Sequence, residues 1–307
     1  MRALGISRSP RGAMEAPPRR AILRGVRDVI VLGCGFTGAR VATRLLARGV
    51  RVLAVARASS SLGPLADAGA EVLALDAASD GGLEALASAA SRRSPGFGVV
   101  CTVPPVVRGG ALVDATAALL AATGRPRRVV YVSSTSVHGA QREVDASSPL
   151  APRTRTAALR VEAEAAVAAG PWSWLVLRPA AIYGPGRGLH AGGGAPPRRA
   201  GDPDRVVSRI HVEDLAALCD AALASVVTGS LPVADRVPAT PREVISFCAA
   251  LGLPTPPLPP PTGDPARGRR VDGRAAFDAL GVAIGYPSYR EGIPACLERD
   301  PPWPGRS

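Results

Sequence analysis

The chain has 307 residues, 47% of them apolar, and a formal net charge of +12, so it is long enough to bury a large core. No apolar run nears the roughly 20 residues of a membrane-spanning helix, which excludes a helical membrane protein. All 37 basic residues are arginine, and residues 1–27 hold seven of them against the single acid Glu15, so six of the twelve surplus charges sit in that tail; the rest are spread without interleaved aromatics, and neither a nucleic-acid nor a membrane partner is expected.

Residues 1–27 lack the apolar stretch of a secretory leader and read as a disordered basic tail, a basic transit peptide being the other reading. Strands are predicted at 28–32, 50–56, 71–75, 98–103, 128–132 and 174–177, with helices at 39–48, 82–91, 111–122 and 156–169 between them. This alternation implies an α/β fold with a parallel sheet covered on both faces. After residue 178 the pattern loosens. A loop over 184–204, helices at 212–224 and 241–251, and a proline-rich segment over 253–268 follow. The expected division is a core over 28–178, with 179–307 supplying mainly a smaller second unit. Five widely spaced cysteines (Cys34, Cys101, Cys219, Cys248, Cys296) show no metal-ligand spacing and suit the reduced thiols of a cytoplasmic protein. Three scattered histidines suggest no metal site either.

The first strand runs into GCGFTG, which sets Gly33, Gly35 and Gly38 at G-x-G-x-x-G spacing. In a strand-turn-helix context these glycines provide a tight turn, close backbone approach to a pyrophosphate, and close packing of the new helix, whose N-terminal amides face the phosphates. Phe36 and Thr37 belong to the same turn. The acid that would read an unmodified ribose is expected about 20 residues on, yet no Asp or Glu occurs between Asp28 and Asp67. Arg57 stands there instead, and an arginine pairs with a 2′-phosphate. NADP(H) is therefore expected over NAD(H). Asp76, closing the third strand, is a candidate for the adenine edge, or simply caps a turn.

Three later stretches sharpen this. VVYVSSTSVHG (129–139) resembles the serine-bearing strand of the short-chain dehydrogenase/reductase superfamily, in its extended epimerase/dehydratase branch. LRPAAIYGPGR (177–187) is similar to the nicotinamide-side loop of that branch, and RIHVEDLA (209–216) to its substrate-domain signature. ALGVAIGYPSYREGI (279–293) resembles the terminal segment of its atypical members. The resemblance implies a Rossmann-type doubly wound parallel sheet with a smaller C-terminal α+β substrate domain. It also implies a Ser, Tyr and Lys set, in which the Tyr exchanges a proton while hydride moves to or from the nicotinamide. The Lys lowers the Tyr pKa and holds the ribose, and the Ser orients the substrate oxygen.

Matching the motif places the serine at Ser134. The Tyr-x-x-x-Lys unit is missing: the chain has no lysine, and no tyrosine lies between Tyr131 and Tyr183. Thr156 falls at the tyrosine position and Arg160 at the lysine position. A guanidinium can bind ribose oxygens or a phosphate but does not share a proton at neutral pH. Tyr183, His138 and His211 are the remaining proton-bearing candidates, each with a structural reading: a loop tyrosine, a turn histidine and a histidine bonded to backbone near the domain junction. Glu213 and Asp214 are expected to cap the helix they open. The candidate set is Ser134, Tyr183 and Arg160 for catalysis, with Gly33, Gly35, Phe36, Thr37, Gly38, Arg57 and Asp76 for the cofactor. An NADP(H)-dependent oxidoreductase or epimerase/dehydratase-like enzyme acting on a small molecule is the leading reading. A non-catalytic NAD(P)-binding redox sensor or regulator is the alternative. Dimerisation through two helices is common in that superfamily, so a homodimer is compatible with the resemblance.

Overall fold

The computed structural model describes residues 26–77, 79, 81–191, 202–255, 257, 258, 260 and 268–298. Most of the basic tail and parts of the 184–204 and 253–268 segments lie outside the described residues. Seven strands form one sheet: β1 (Asp28–Leu32), β2 (Arg51–Ala56), β3 (Glu71–Ala74), β4 (Gly98–Cys101), β5 (Arg128–Val132), β6 (Ser173–Pro179) and β7 (Gly229–Val233). Their spatial order is β7-β6-β5-β4-β1-β2-β3, and each adjacent pair is parallel. The chain reverses its direction of travel between β1 and β4, so the C-terminal edge of the sheet opens a crevice there.

The strands read as continuous apolar runs because both faces are covered. Val29, Val31, Val52, Ala54, Val100, Val130, Leu175 and Leu177 pack on one side, beneath α1 (Phe36–Ala47), α6 (Val212–Leu223) and α8 (Arg274–Leu280). Ile30, Leu32, Leu53, Val55, Val99, Cys101, Val129, Tyr131 and Val176 face the other, beneath α3 (Gly82–Ser91), α4 (Thr116–Ala122) and α5 (Arg155–Ala169). The remaining helices are α2 (Gly63–Asp67), α7 (Pro241–Ala250) and α9 (Tyr289–Glu298). Arg128 is fully buried between the layers; its Nε donates to the Ala222 carbonyl in the last turn of α6 at 3.0 Å, where a cation complements the helix dipole.

The helix expected at 111–122 is corrected. Residues 111–122 are not one helix. A hairpin pairs Val106–Arg108 with Ala111–Val113, turning on Gly109 (φ +52°) and Gly110 (φ +79°), the pair of positive φ values that favours glycine in a two-residue hairpin loop. The Asp114 carboxylate then accepts the Thr116 N–H at 2.8 Å, and α4 starts there. β7 is a further strand of the sheet, beyond those expected from the sequence. Together with α6 it brings residues after 178 back into the core layers. Short strands outside the main sheet, Glu143–Val144, Val206–Val207 and Gly268–Val271, form a separate three-stranded sheet beside it.

Candidate functional site

The glycine turn is built as the spacing requires. Gly33 has φ +91°, and the amides of Gly33 and Cys34 both donate to the Val55 carbonyl at 2.9 Å. Thr102, just past β4, donates its hydroxyl to the Gly33 carbonyl at 2.7 Å. A methyl group at Gly38 would stand 2.3 Å from that same carbonyl oxygen, so α1 approaches the turn closely because residue 38 has no side chain. A methyl at Gly35 would meet nothing within 4 Å. The first turn of α1 carries no acid, and Gly35 provides no side-chain cap. The positive end of the helix dipole is therefore left to an outside anion.

A cleft of about 1150 Å³ opens above this turn. Gly33, Gly35, Phe36 and Thr37 form its floor, with Arg57 and Asp76 toward the ends of β2 and β3, and Val132, Ser133 and Arg160 toward the end of β5. The hairpin contributes Arg108, which is ion-paired with Asp76. Asp76 also takes Ser79 on its backbone carbonyl through both the amide, at 3.0 Å, and the hydroxyl, at 2.7 Å. On the other rim Phe36 is clasped by two guanidinium groups, Arg40 at 4.1 Å and Arg187 at 4.9 Å from its ring centre. Arg40 also pairs with Glu213 at 3.5 Å. This clasp joins the glycine turn to the loop at 184–187.

The candidate catalytic residues separate. Arg160 lines the cleft, whereas Ser134 and Tyr183 do not. Ser134 opens the 3-10 turn Thr135–His138, and its Oγ accepts the Ser136 amide at 3.1 Å. Its neighbour Ser133 is the serine in the cleft wall, a residue the sequence reading passed over. The Ser133 hydroxyl donates to Glu164 Oε1 at 2.5 Å. Arg178 in turn donates to Glu164 from Nε at 3.2 Å to each oxygen and from Nη2 at 2.7 Å. All three side chains are buried. Strand alternation could have flagged Ser133, but the family motif drew attention one residue on.

Tyr183 is buried, its hydroxyl donates to the Ser288 carbonyl at 3.1 Å, and burial pushes its phenol well above the ordinary value. Tyr131 stands near Arg160 Nη1, at 3.5 Å, but it too is sealed in the core and its pKa is raised, chiefly by burial. His138 is fully buried with Nδ1 3.0 Å from the Pro149 carbonyl, and burial leads the effects that hold its pKa below the usual value. His211 Nδ1 accepts the Glu213 amide at 3.3 Å and so caps α6. Asp214 does not cap that helix; its two oxygens accept the amides of Gly285, at 2.8 Å, and Tyr286, at 2.9 Å, anchoring the C-terminal segment.

A second hollow of about 380 Å³ lies beside the three-stranded sheet and includes Thr135, Ala181, Ser208 and Arg269. Arg269 donates to the Thr135, Gln141 and Gly139 carbonyls, pinning the loop after the serine strand.

A family model described as NAD(P)H-binding matches residues 33–225. Comparison with curated proteins returns no match. Among solved structures, a functionally unknown conserved protein from Silicibacter pomeroyi is 30% identical, with 89% of this chain and 99% of that chain covered at a TM-score of 0.71. Bordetella bronchiseptica WbmG in complex with NAD and UDP is 18% identical, with coverages of 90% and 94% and a TM-score of 0.71. Thermus thermophilus UDP-glucose 4-epimerase in complex with NAD is 22% identical, with coverages of 88% and 98% and a TM-score of 0.71.

Proposed function

The chain belongs to the NAD(P)H-binding family, and from that premise we propose that it is an NADP(H)-dependent oxidoreductase or epimerase/dehydratase-like enzyme acting on a small molecule. The observation that carries this reading is that one cleft holds the glycine turn between Arg57 at one end and Arg160 at the other. The turn would hold the pyrophosphate on backbone amides, and Arg57 would pair with the 2′-phosphate. The bound nicotinamide supplies or accepts hydride. This chain's part is to hold the nucleotide, exclude water with the apolar walls Val103, Pro104, Val106 and Ile182, and orient what binds beside the ring. Domain roles follow the same logic: the sheet and its helices hold the nucleotide, and the segments around 143–144, 206–207 and 268–271 shape the substrate side. Five buried thiols, none in a disulfide, fit a reducing cytoplasm.

One observation favours a non-catalytic nucleotide sensor as the second reading: Tyr131 and Tyr183 are both sealed from the cleft, so neither phenol is presented as a proton donor. Following NADPH absorbance at 340 nm against a panel of carbonyl compounds and nucleotide sugars separates the two. Turnover that survives Tyr183→Phe establishes an enzyme working without that phenol. Tight nucleotide binding with no turnover across the panel would favour the sensor.

A further inference from the structure

Arg160 lines the cleft with no ion-pair partner within 4 Å among the described residues, Asp114 being the acid that shares its surroundings. Its Nη1 donates to the Val132 carbonyl at 3.3 Å and lies 3.5 Å from the Tyr131 hydroxyl, which fixes the plane of the guanidinium. Among the described residues its Nε and Nη2 protons meet no partner, and no carboxylate pairs with it. Of the other cleft arginines, Arg108 is paired with Asp76 and Arg187 lies against the Phe36 ring, while Arg57 shares the lack of an ion pair and is the residue assigned to the 2′-phosphate. A half-buried guanidinium without an ion pair leaves donors available to an anion in the cleft. The free edge of Arg160 is the Nε–H and Nη2–H fork, whose spacing matches the two oxygens of a carboxylate.

The cofactor's own anions lie elsewhere. Adjacent strands are about 4.8 Å apart. The order β2-β1-β4-β5 therefore puts Val132, at the end of β5, roughly 14 Å from Arg57 and roughly 10 Å from the glycine turn. A 2′-phosphate at Arg57 and a pyrophosphate at Gly33 are both beyond hydrogen-bonding distance of this guanidinium. Ribose hydroxyls could reach it but carry no charge to offset its own.

Beside it, Ser133 has its proton committed to Glu164, whose charge Arg178 holds in place. Ser133 can therefore only accept a hydrogen bond from the cleft, for example from a hydroxyl group. The nearby walls Val103, Val113, Leu119 and Ile182 are apolar, and Asp114 is the acid among them, its Oδ1 taken by the Thr116 amide and its Oδ2 buried without a hydrogen bond among the described residues.

We infer that the substrate is a small carboxylate bearing a hydroxyl or carbonyl group, with Arg160 as the specificity-determining residue that grips the carboxylate and Ser133 as the acceptor for the hydroxyl. This rests on the dinucleotide reading of the cleft, and the test separates the two. Calorimetry first measures NADP⁺ binding to wild-type, Arg160→Gln and Arg160→Lys proteins. Each NADP⁺-saturated protein is then titrated with 2-hydroxybutyrate, with oxalate and with the uncharged 2-hydroxybutyramide.

The expected result is at least tenfold weaker binding of the amide than of the acids to wild type. Acid affinity should fall at least tenfold in Arg160→Gln and be partly retained in Arg160→Lys, while NADP⁺ affinity changes less than threefold. Equal binding of acid and amide, or of neither, would overturn the inference. So would a loss of NADP⁺ affinity in Arg160→Gln with acid binding unchanged, which would make Arg160 a ribose ligand. If wild type takes up neither NADP⁺ nor NAD⁺, the cofactor reading falls; the acid titrations on nucleotide-free protein then still decide the role of Arg160.

Discussion

Gly35 and Gly38 occupy one turn, yet a methyl group added at each meets opposite surroundings. At Gly38 it would lie 2.3 Å from the Gly33 carbonyl oxygen; at Gly35 it meets open space. Gly38→Ala is therefore expected to lower stability by about 1–3 kcal/mol, the range for forcing atoms into a packed site, which thermal melting will read. Gly35→Ala should leave the melting temperature unchanged and weaken only NADPH binding, because the cleft side is where the backbone must approach phosphate. Arg57 acts at the same scale. A hydrogen bond to a charged group is worth about 1.5–3 kcal/mol, so Arg57→Ala should cut the preference for NADPH over NADH by roughly 10- to 100-fold. Equal losses for both nucleotides would remove Arg57 from the 2′-phosphate. The glycine turn was legible because its three positions act through the backbone. The choice between Ser133 and Ser134 was not: which of two adjacent residues faces a cleft depends on strand alternation at the end of β5.

At the scale of elements, the apolar strands and their helices could be read directly, since burial on both faces leaves few polar positions to blur a run. The exceptions have particular causes. β7 carries Pro232 within Gly229–Val233, a residue that weakens a strand signal and is tolerated because this strand lies at the edge of the sheet. The hairpin before α4 was hidden by alanine-rich residues that favour helix, until the glycine pair and Asp114 broke the run. A buried cross-element tie joins Glu164 on α5 with Arg178 on β6 and Ser133 after β5. Removing one partner of a buried pair costs about 3–5 kcal/mol. Glu164→Ala should lose that much in urea unfolding, and the double change Glu164→Met with Arg178→Met should recover most of it. A single-variant loss under 1 kcal/mol would mean the pair is not desolvated as its burial implies.

Across the whole molecule, burial decides how the titratable groups behave. All five cysteines are buried and none is in a disulfide. Burial pushes Cys34 and Cys219 up to about 12 and Cys101 to about 11, so native protein should show fewer than one thiol reactive toward an aromatic disulfide reagent, and unfolded protein all five. Thiols titrating readily in the folded state would contradict their burial. Asp235 is buried, and burial, partly countered by the Arg209 charge and the Arg209 and Val237 amides, raises it from 3.8 to about 8. Between those values the unfolded chain has released a proton that the folded chain keeps, so stability falls as pH rises from about 4 to about 8. Asp235→Asn should flatten that decline; parallel melting curves for the two proteins across the range would contradict it. The central claim is that this cleft holds a pyridine dinucleotide and selects the 2′-phosphate. Calorimetric titration of the purified protein with NADPH and with NADH tests it most directly: the account predicts NADPH binding at least tenfold tighter, and equal affinities, or no binding of either, would contradict it.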